Sequence, residues 1–427
     1  MKRLPLILVL GVVTLLLLGT VMLYSSTTSR PGLERLYWHF CWLGLGTAGC
    51  CAAACVNYAW LRKWHLARWG VIVALILLAA VFMPGVGAVR NGAARWLPFG
   101  QPSELAKLAL VLFLADYAAS FHSQMRERAV GFLYPGAVAG LVCLLVFAEP
   151  DWGTAALLGV VALAMLFLSG AHWGYLLSAT VIVSELFALL LLNNPLRLER
   201  VLMFLNPEQY QDGIGWQSWH ALLSLGQGGV FGTFIGEGAL KNGFVPEQQT
   251  DFVLSLVGEE LGLVGTLLVL CLFMCVVVCG FRIAWKAAEP FGQLLASGIT
   301  LVIGVQGLMN IGVVTSSLPN KGIALPFVSY GGSNLVCMMI CLGLLLSVAR
   351  HAPLLPEPLL QNPLIARAAP RMPGPVGSLL LSSSQPPPRG LRQRLLRWLR
   401  TRRARRFPSA PLHNYQRPPA MRVRGMT

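Results

Sequence analysis

The chain has 427 residues, of which 56% are hydrophobic and only 12% charged, and its formal net charge is +16. A soluble domain does not bury so much apolar surface, so the composition predicts a membrane protein. The charge does not indicate nucleic-acid binding, because it is concentrated at the C-terminus. From Arg350 onward there are 15 Arg and a single acidic residue, Glu357.

Apolar runs near 20 residues, each long enough to cross a bilayer, recur along the chain. They predict an all-α fold, a polytopic membrane helix bundle with about ten transmembrane helices. The predicted spans are 5–24, 37–58, 69–84, 103–120, 132–148, 153–170, 173–193, 252–281, 291–315 and 325–349.

The positive charges of the short loops predict the orientation of this bundle. Arg and Lys residues fall in loops 62–68, 126–128 and 282–286, which ten spans place on one side of the membrane. Cytoplasmic loops are enriched in Lys and Arg, so we expect these loops and both termini to be cytoplasmic. The first span follows Lys2 and Arg3 without a clear cleavage site, which favours an anchor over a signal peptide.

We predict two parts in the chain. Residues 1–350 form the membrane domain, which includes a large outer loop at 194–251, and residues 351–427 form a Pro/Arg-rich cytoplasmic tail. The tail composition is typical of disorder. Within it, 391–406 is a basic amphipathic segment that we expect to bind anionic membrane lipids, a solvated basic segment being the alternative.

The stretch 245–265, VPEQQTDFVLSLVGEELGLVG, is the most informative in the sequence. It places Asp251, Glu259 and Glu260 where an apolar helix begins, and Glu247 and Asp251 close the outer loop before it. A carboxylate at the edge of hydrocarbon is costly, so a functional role is expected for Asp251. The alternative is that Asp251 only caps the helix, since Asp is a favoured N-cap residue.

The segment 90–110 is the second polar one. Ser103 follows a proline and is predicted to cap the next helix, and Glu104 and Lys107 are three residues apart and predicted to pair. Arg90, Arg95 and Lys107 together suit a phosphate or pyrophosphate. Ordinary capping and anchoring at the membrane interface is the alternative.

Two further segments carry polar residues into apolar surroundings. Asp151 precedes a helix at 149–158, where it either caps the helix or faces a polar cavity. In 318–336, Pro326 and the pair Gly331–Gly332 predict a broken helix, with Lys321 at its outer end. The outer loop from Arg197 to Asp251 is a further polar segment. We expect these polar segments to converge on one membrane face.

These stretches resemble the SEDS family, the polytopic proteins of bacterial shape, division and sporulation, which includes FtsW, RodA and SpoVE. The matching residues are NGAARW, QPSELAKL, PDWGTA, RVLMFLNP, LGQGGVFG, VPEQQTDFVLSLVGEELGLVG and LPFVSYGGSN, in the family's order over some 350 residues. LPNKG before LPFVSYGGSN is closer to the FtsW branch than to the RodA branch. Gln249, His220 and Ala221 depart from the residues usual in the family.

The resemblance implies a peptidoglycan glycosyltransferase that polymerises lipid II, the undecaprenyl-pyrophosphate-linked disaccharide peptide, at the outer face of the cytoplasmic membrane during division. It implies Asp251 as the catalytic base. It carries substrate-binding roles to Arg90, Arg95, Trp96, Gln101, Ser103, Glu104, Lys107, Asp151, Glu247, Lys321 and Ser329. No cofactor is certain, although a divalent cation, Mg or Mn, is compatible with a pyrophosphate leaving group.

The resemblance also implies partners and a location: a class B penicillin-binding protein transpeptidase and other division proteins, in the inner membrane at the septum. Three alternatives remain open from the sequence: a transporter that flips lipid II, a RodA-like elongation polymerase and a non-catalytic division scaffold. A flippase needs a similar polar cavity, so the residues alone do not separate transport from polymerisation.

Overall fold

The structure, a computed structural model, is a helix bundle, as predicted. It describes residues 3–27, 33–63, 65–85, 87–90, 93–98, 100–193, 199, 204, 207–211, 213, 215–238, 249–320 and 322–351. The predicted tail from residue 352 onward lies outside the described residues, as do Glu247 and Lys321.

The helices follow the apolar runs. They are α1 Arg3–Thr27, α2 Leu33–Cys55, α3 Ala59–Lys63, α4 Leu66–Ala80, α5 Pro102–Ser120, α6 Tyr134–Ala148, α7 Trp152–Leu168, α8 Trp173–Leu192, α9 Trp216–Gln227, α10 Val253–Lys286, α11 Pro290–Val314 and α12 Gly332–His351. Short 3-10 turns occupy His122–Gln124 and Pro207–Tyr210, and a π-helical turn, Ala129–Leu133, leads into α6. An antiparallel hairpin of β1 Ala88–Arg90 and β2 Ala93–Trp96 precedes α5, with a register irregularity between Ala88 and Val89.

Each predicted span coincides with a helix, although the last begins later than predicted. α12 starts at Gly332 because 325–331 is a non-helical turn that includes Pro326 and Gly331. By length and composition, α1, α10, α11, α12 and the segment Ala129–Ala148 are long and apolar enough to cross a membrane. The count of ten spans and the orientation stay predictions.

α11 lies at the centre of the bundle and packs against α5, α7 and α10. Small residues permit close contact on its faces: a Cβ added at Gly298 would lie 2.7 Å from both Met165 and Val111. Without a hydrophobic driving force between helices in lipid, such close packing is a main source of bundle stability. α11 therefore provides a fixed frame for the elements around it.

α10 is broken at Gly262, where φ is 66° and ψ is −162°. The glycine-rich segment after α9 supplies the hydrogen bonds that the break removes. Leu263 N donates to Gly229 O at 3.0 Å, Val264 N to Val230 O at 3.2 Å, and Thr233 N to Glu259 O at 3.0 Å. The segment of the outer loop that follows α9 is therefore bound to the backbone of a broken helix.

We predict that Gly262→Ala lowers the unfolding temperature of the detergent-solubilised protein by about 3 °C or more, because a strained backbone position costs about 1–3 kcal/mol. The added Cβ would also lie 2.4 Å from Gly232 N. Gly159→Ala in α7, where an added Cβ meets no atom within 4 Å, is the control. Equal unfolding temperatures for the two variants would contradict this account of the break.

Candidate active site

A cavity of about 710 Å³ opens where the β2–α5 turn, the start of α7, the segment before α10, α11 and the segment before α12 meet. The cavity brings together residues from 90–110, 149–158, 245–265 and 318–336. Seven of the predicted site residues line it: Arg95, Trp96, Gln101, Glu104, Lys107, Asp151 and Asp251.

Lys107 is a cation inside the bundle. Its side chain is 4% exposed, and its Nζ lies 2.8 Å from Glu104 Oε2, which confirms the predicted pair. Nζ also donates to Gln306 Oε1 at 2.7 Å. An ammonium has three donors, so these two contacts fix its position and still permit a further bond to an anion in the cavity.

Arg95 lines the cavity but holds the protein backbone at the same time. Its Nε donates to Glu149 O at 3.0 Å and its Nη2 to Pro150 O at 2.6 Å. These contacts tie β2 to the turn between α6 and α7. Arg95 therefore has a structural role besides any contact with an anion. A loss of activity in an Arg95 variant would not by itself indicate anion binding.

Asp151 is both a helix cap and a cavity residue. It is the N-cap of α7, and its Oδ1 accepts a hydrogen bond from Thr154 N at 3.2 Å. Its Oδ2 accepts from Gln101 Nε2 at 2.9 Å. The capping alternative for Asp151 is thus confirmed, and the carboxylate also connects the starts of α5 and α7 at the cavity wall.

The prediction that Ser103 caps α5 is wrong. Gln101 occupies the N-cap position, and the helix begins at Pro102, whose fixed φ suits the first helical residue. Ser103 is buried in the first turn and does not line the cavity, and its Oγ has no hydrogen-bond partner among the described residues.

Asp251 lies just before α10 and is half-buried. The N-cap position belongs to Phe252, which has no side-chain cap hydrogen bond, and Asp251 lies one residue before it. The backbone around Asp251 is fixed on two sides. Asn310 Nδ2 donates to Asp251 O at 2.7 Å, and Tyr330 N donates to Gln249 O at 2.9 Å.

Gly322 makes room for the Asp251 carboxylate. A Cβ at position 322 would lie 2.7 Å from Asp251 Oδ2, so the backbone of the segment before α12 passes directly beside this group. The close approach places the carboxylate on the cavity wall, where a bound ligand can reach it.

Sequence reasoning missed several polar residues of the site. Arg35 lines the cavity and donates from Nη1 to Gln249 Oε1 at 2.8 Å, two residues before Asp251. Gln306 and Asn334 also line the cavity, and Asn310 lies behind it. The signal for Gln306 and Asn310 was their presence four residues apart in an apolar helix, where polar groups are costly.

Four predicted site residues remain. Ser329 is buried outside the cavity lining, and its Oγ accepts a hydrogen bond from Leu325 N at 2.8 Å, which stabilises the turn before α12. Arg90 ends β1, but its side chain is outside what the structure describes. Glu247 and Lys321 are likewise outside the described residues, so their roles stay predictions.

The carboxylates of the described cavity do not form a ready metal site. Within the described residues no group of three His, Cys, Asp or Glu side chains is placed to hold a metal ion. Glu104 contacts the Lys107 ammonium, and Asp151 accepts N–H donors at both oxygens. The Mg or Mn ion remains a prediction.

The family of FtsW, RodA and SpoVE, described as cell cycle proteins, matches residues 5–353 of the chain. The chain is similar to a probable peptidoglycan glycosyltransferase FtsW of Geobacter metallireducens, at 36% identity over 360 residues that cover 82% of this chain and 95% of that protein. It is also similar to stage V sporulation protein E of Bacillus subtilis, at 34% identity over 357 residues, 81% of this chain and 97% of that protein.

Solved structures share the fold. One, described as the structural coordination of polymerization and crosslinking by a peptidoglycan synthase complex, has a TM-score of 0.67 at 30% identity and covers 81% of this chain and 97% of its own. The rod shape determining protein RodA of Thermus thermophilus has a TM-score of 0.59 at 29% identity, with coverages of 81% and 96%. Sequence and fold both agree with the predicted resemblance.

Glu149, beside the cavity wall, is fully buried, and neither of its carboxyl oxygens has a hydrogen-bond partner among the described residues. Burial, and secondarily the negative charge of Asp151, raise the pKa of Glu149 to about 8 from 4.5, against a smaller opposite effect of Arg95. At neutral pH this carboxyl is therefore mostly protonated.

We predict that Glu149 makes the protein less stable as the pH rises. The pKa of Glu149 in the folded protein is above its ordinary value of 4.5, which applies to the unfolded chain, so the folded protein binds this proton more tightly than the unfolded chain does. The free energy of unfolding therefore falls as the pH rises from about 4.5 to about 8. Glu149→Gln removes this dependence, so its gain in unfolding temperature over the wild type should grow from pH 5 to pH 8. The exposed Glu127→Gln is the control, and a gain independent of pH would contradict the protonated state.

Proposed function

Because the chain belongs to the FtsW, RodA and SpoVE family of cell cycle proteins, we propose that it is a peptidoglycan glycosyltransferase that polymerises lipid II during septal wall synthesis. The observation that carries the proposal is a carboxylate, Asp251, and a buried cation, Lys107, on the wall of a single cavity. Glycosyl transfer from a lipid diphosphate requires both kinds of group.

Asp251 acts on the acceptor. Its carboxylate takes the proton of the acceptor sugar hydroxyl as the oxygen attacks the anomeric carbon of the donor. A new glycosidic bond forms, and the bond from the anomeric carbon to the phosphate oxygen breaks with its electron pair leaving on the diphosphate. A single displacement of this kind inverts the configuration of the donor carbon.

Cations of the cavity act on the leaving group. Charge develops on the diphosphate oxygen as the bond breaks, and fixed positive groups in a water-poor site stabilise it. Lys107 is held in place by Glu104 and Gln306, and Arg35 lies on the wall near Asp251. Because these groups are ordered before the substrate binds, little reorganisation is needed at the moment of transfer.

The partners and the place of action follow from the same proposal. Cross-linking of the new glycan needs a transpeptidase, for which a class B penicillin-binding protein is the expected partner in the cytoplasmic membrane at the septum. The complex that shares this fold is described as coordinating polymerization and crosslinking, which supports the assignment.

We predict that Asp251→Asn lowers lipid II polymerisation by purified protein in detergent by about 100- to 10,000-fold, the contribution typical of a general base. Asn keeps the size of the side chain but takes up no proton. Glu185→Gln, the same chemical change at an exposed carboxylate of α8 outside the cavity lining, is the control.

Detergent abolishes the two sides of a membrane, so polymer formed there distinguishes an enzyme from a flippase. More than about half of the wild-type rate in Asp251→Asn would rule out its role as base. Lipid II movement across vesicles without any polymer would instead favour the transporter, and division supported fully by Asp251→Asn would favour the scaffold.

We predict that Lys107 binds the diphosphate. Because Lys107→Met alone would leave Glu104 buried without its cation, the variant to measure is the double change Glu104→Gln with Lys107→Met. Its kcat/KM for lipid II should fall about 10- to 100-fold, since a charge-assisted hydrogen bond contributes about 1.5–3 kcal/mol.

Two controls accompany this measurement. Glu104→Gln alone keeps the ammonium but removes its ion pair, so the loss of kcat/KM that the double variant shows beyond Glu104→Gln is the part due to the ammonium. Arg126→Met changes an exposed cation between α5 and α6 that does not line the cavity. An equal loss in the double variant and in Arg126→Met would indicate general destabilisation and not diphosphate binding.

A further inference from the structure

Helix α11 carries two buried amides one turn apart, Gln306 and Asn310, each 1% exposed. Residues four apart share a helix face, so both amides point to the same side of α11. Buried polar groups in apolar helices are costly and indicate a function by default.

Gln306 connects the cation to the segment before α12. Its Oε1 accepts from Lys107 Nζ at 2.7 Å, while its Nε2 donates to Ala324 O at 2.8 Å. A single side chain thus uses both ends of its amide, one for the ammonium and the other for the backbone that passes the cavity.

Asn310 connects the backbone of Asp251 to the same segment. Its Nδ2 donates to Asp251 O at 2.7 Å and to Ile323 O at 2.7 Å. Its Oδ1 has no hydrogen-bond partner among the described residues, so the amide acts only as a donor of these two bonds.

The two amides therefore hold consecutive carbonyls, those of Ile323 and Ala324. Gln306 also holds the Lys107 ammonium, and Asn310 also holds the main-chain carbonyl of Asp251, the residue that carries the carboxylate. We propose that Gln306 and Asn310 are positioning residues that set the separation of Lys107 and Asp251, and so align the diphosphate with the acceptor hydroxyl. The inference rests on the proposed function, because it gives the two groups their roles.

The proposal has a consequence that a purely structural role lacks. A misplacement of about 1 Å costs up to about 100-fold in rate, and the cost appears in the step that uses the displaced group. Loss of the Gln306 amide should weaken diphosphate binding through Lys107 and also slow the departure of the diphosphate. Loss of the Asn310 amide should affect the chemical step through Asp251 and leave diphosphate binding unchanged.

The experiment compares Gln306→Met and Asn310→Leu, which are close in shape to the native residues and lack the amide. Undecaprenyl diphosphate affinity is measured from the fluorescence change of the protein, since Trp42 and Trp96 line the cavity. Polymerisation of lipid II gives kcat and KM. Thr300→Val is the matched control, because Thr300 is equally buried on α11 and its Oγ1 bonds only within the helix, to Ala296 O.

We expect Gln306→Met to weaken the affinity for the diphosphate about tenfold and also to lower kcat, since Lys107 stabilises the charge that develops on the leaving group. Asn310→Leu should lower kcat about 10- to 100-fold with the affinity within about threefold. Thr300→Val should change neither quantity. All unfolding temperatures are measured, so that an unfolded fraction is not counted as a loss of activity.

Parallel losses of affinity and kcat in both variants, in proportion to a loss of stability, would overturn the proposal in favour of a structural role. So would wild-type values in both variants. Should the wild type form no polymer, the proposed function fails, and the diphosphate affinity of Gln306→Met still decides the positioning of Lys107: unchanged affinity overturns it and a tenfold loss supports it.

Discussion

The ion pair of Lys107 and Glu104 is the interaction on which the cavity depends. An ammonium removed from water is stable only when its hydrogen bonds are replaced, and here Glu104 and Gln306 replace two of them. The contact of Lys107 with Gln306 fixes α5 relative to α11 and leaves a positive group on the wall of a cavity of about 710 Å³.

The irregular backbone around the cavity also depends on replacing hydrogen bonds to water. Away from water, every backbone amide and carbonyl needs a partner, so a broken helix is stable only where other groups supply the missing bonds. The glycine-rich segment after α9 does so for the break at Gly262, and Asn310 and Gln306 do so for Ile323 and Ala324. The bundle thus provides rigid walls, and the breaks allow functional groups to approach one another.

The sequence predicts what depends on local geometry. The Glu104–Lys107 pair follows from helical spacing, and the helix bundle follows from the apolar runs. Contacts distant in sequence have no such signal: Gln101 and Asp151 are 50 residues apart, and Lys107 and Gln306 are 199 apart. Arg95 binds backbone carbonyls, which every residue offers, so its partners were not predictable. The prediction that Ser103 caps α5 was wrong because the helix already begins at Pro102.

In the proposed mechanism, one cavity holds the diphosphate of the donor near Lys107 and the acceptor hydroxyl near Asp251. The most direct measurement is a cryo-EM structure of the full chain with a non-hydrolysable lipid II analogue. We predict a diphosphate oxygen within about 4 Å of Lys107 Nζ, which is the range of an ion pair. We also predict a sugar hydroxyl within hydrogen-bond distance of the Asp251 carboxylate. An analogue bound with its diphosphate outside the cavity, away from Lys107, would contradict the proposed mechanism.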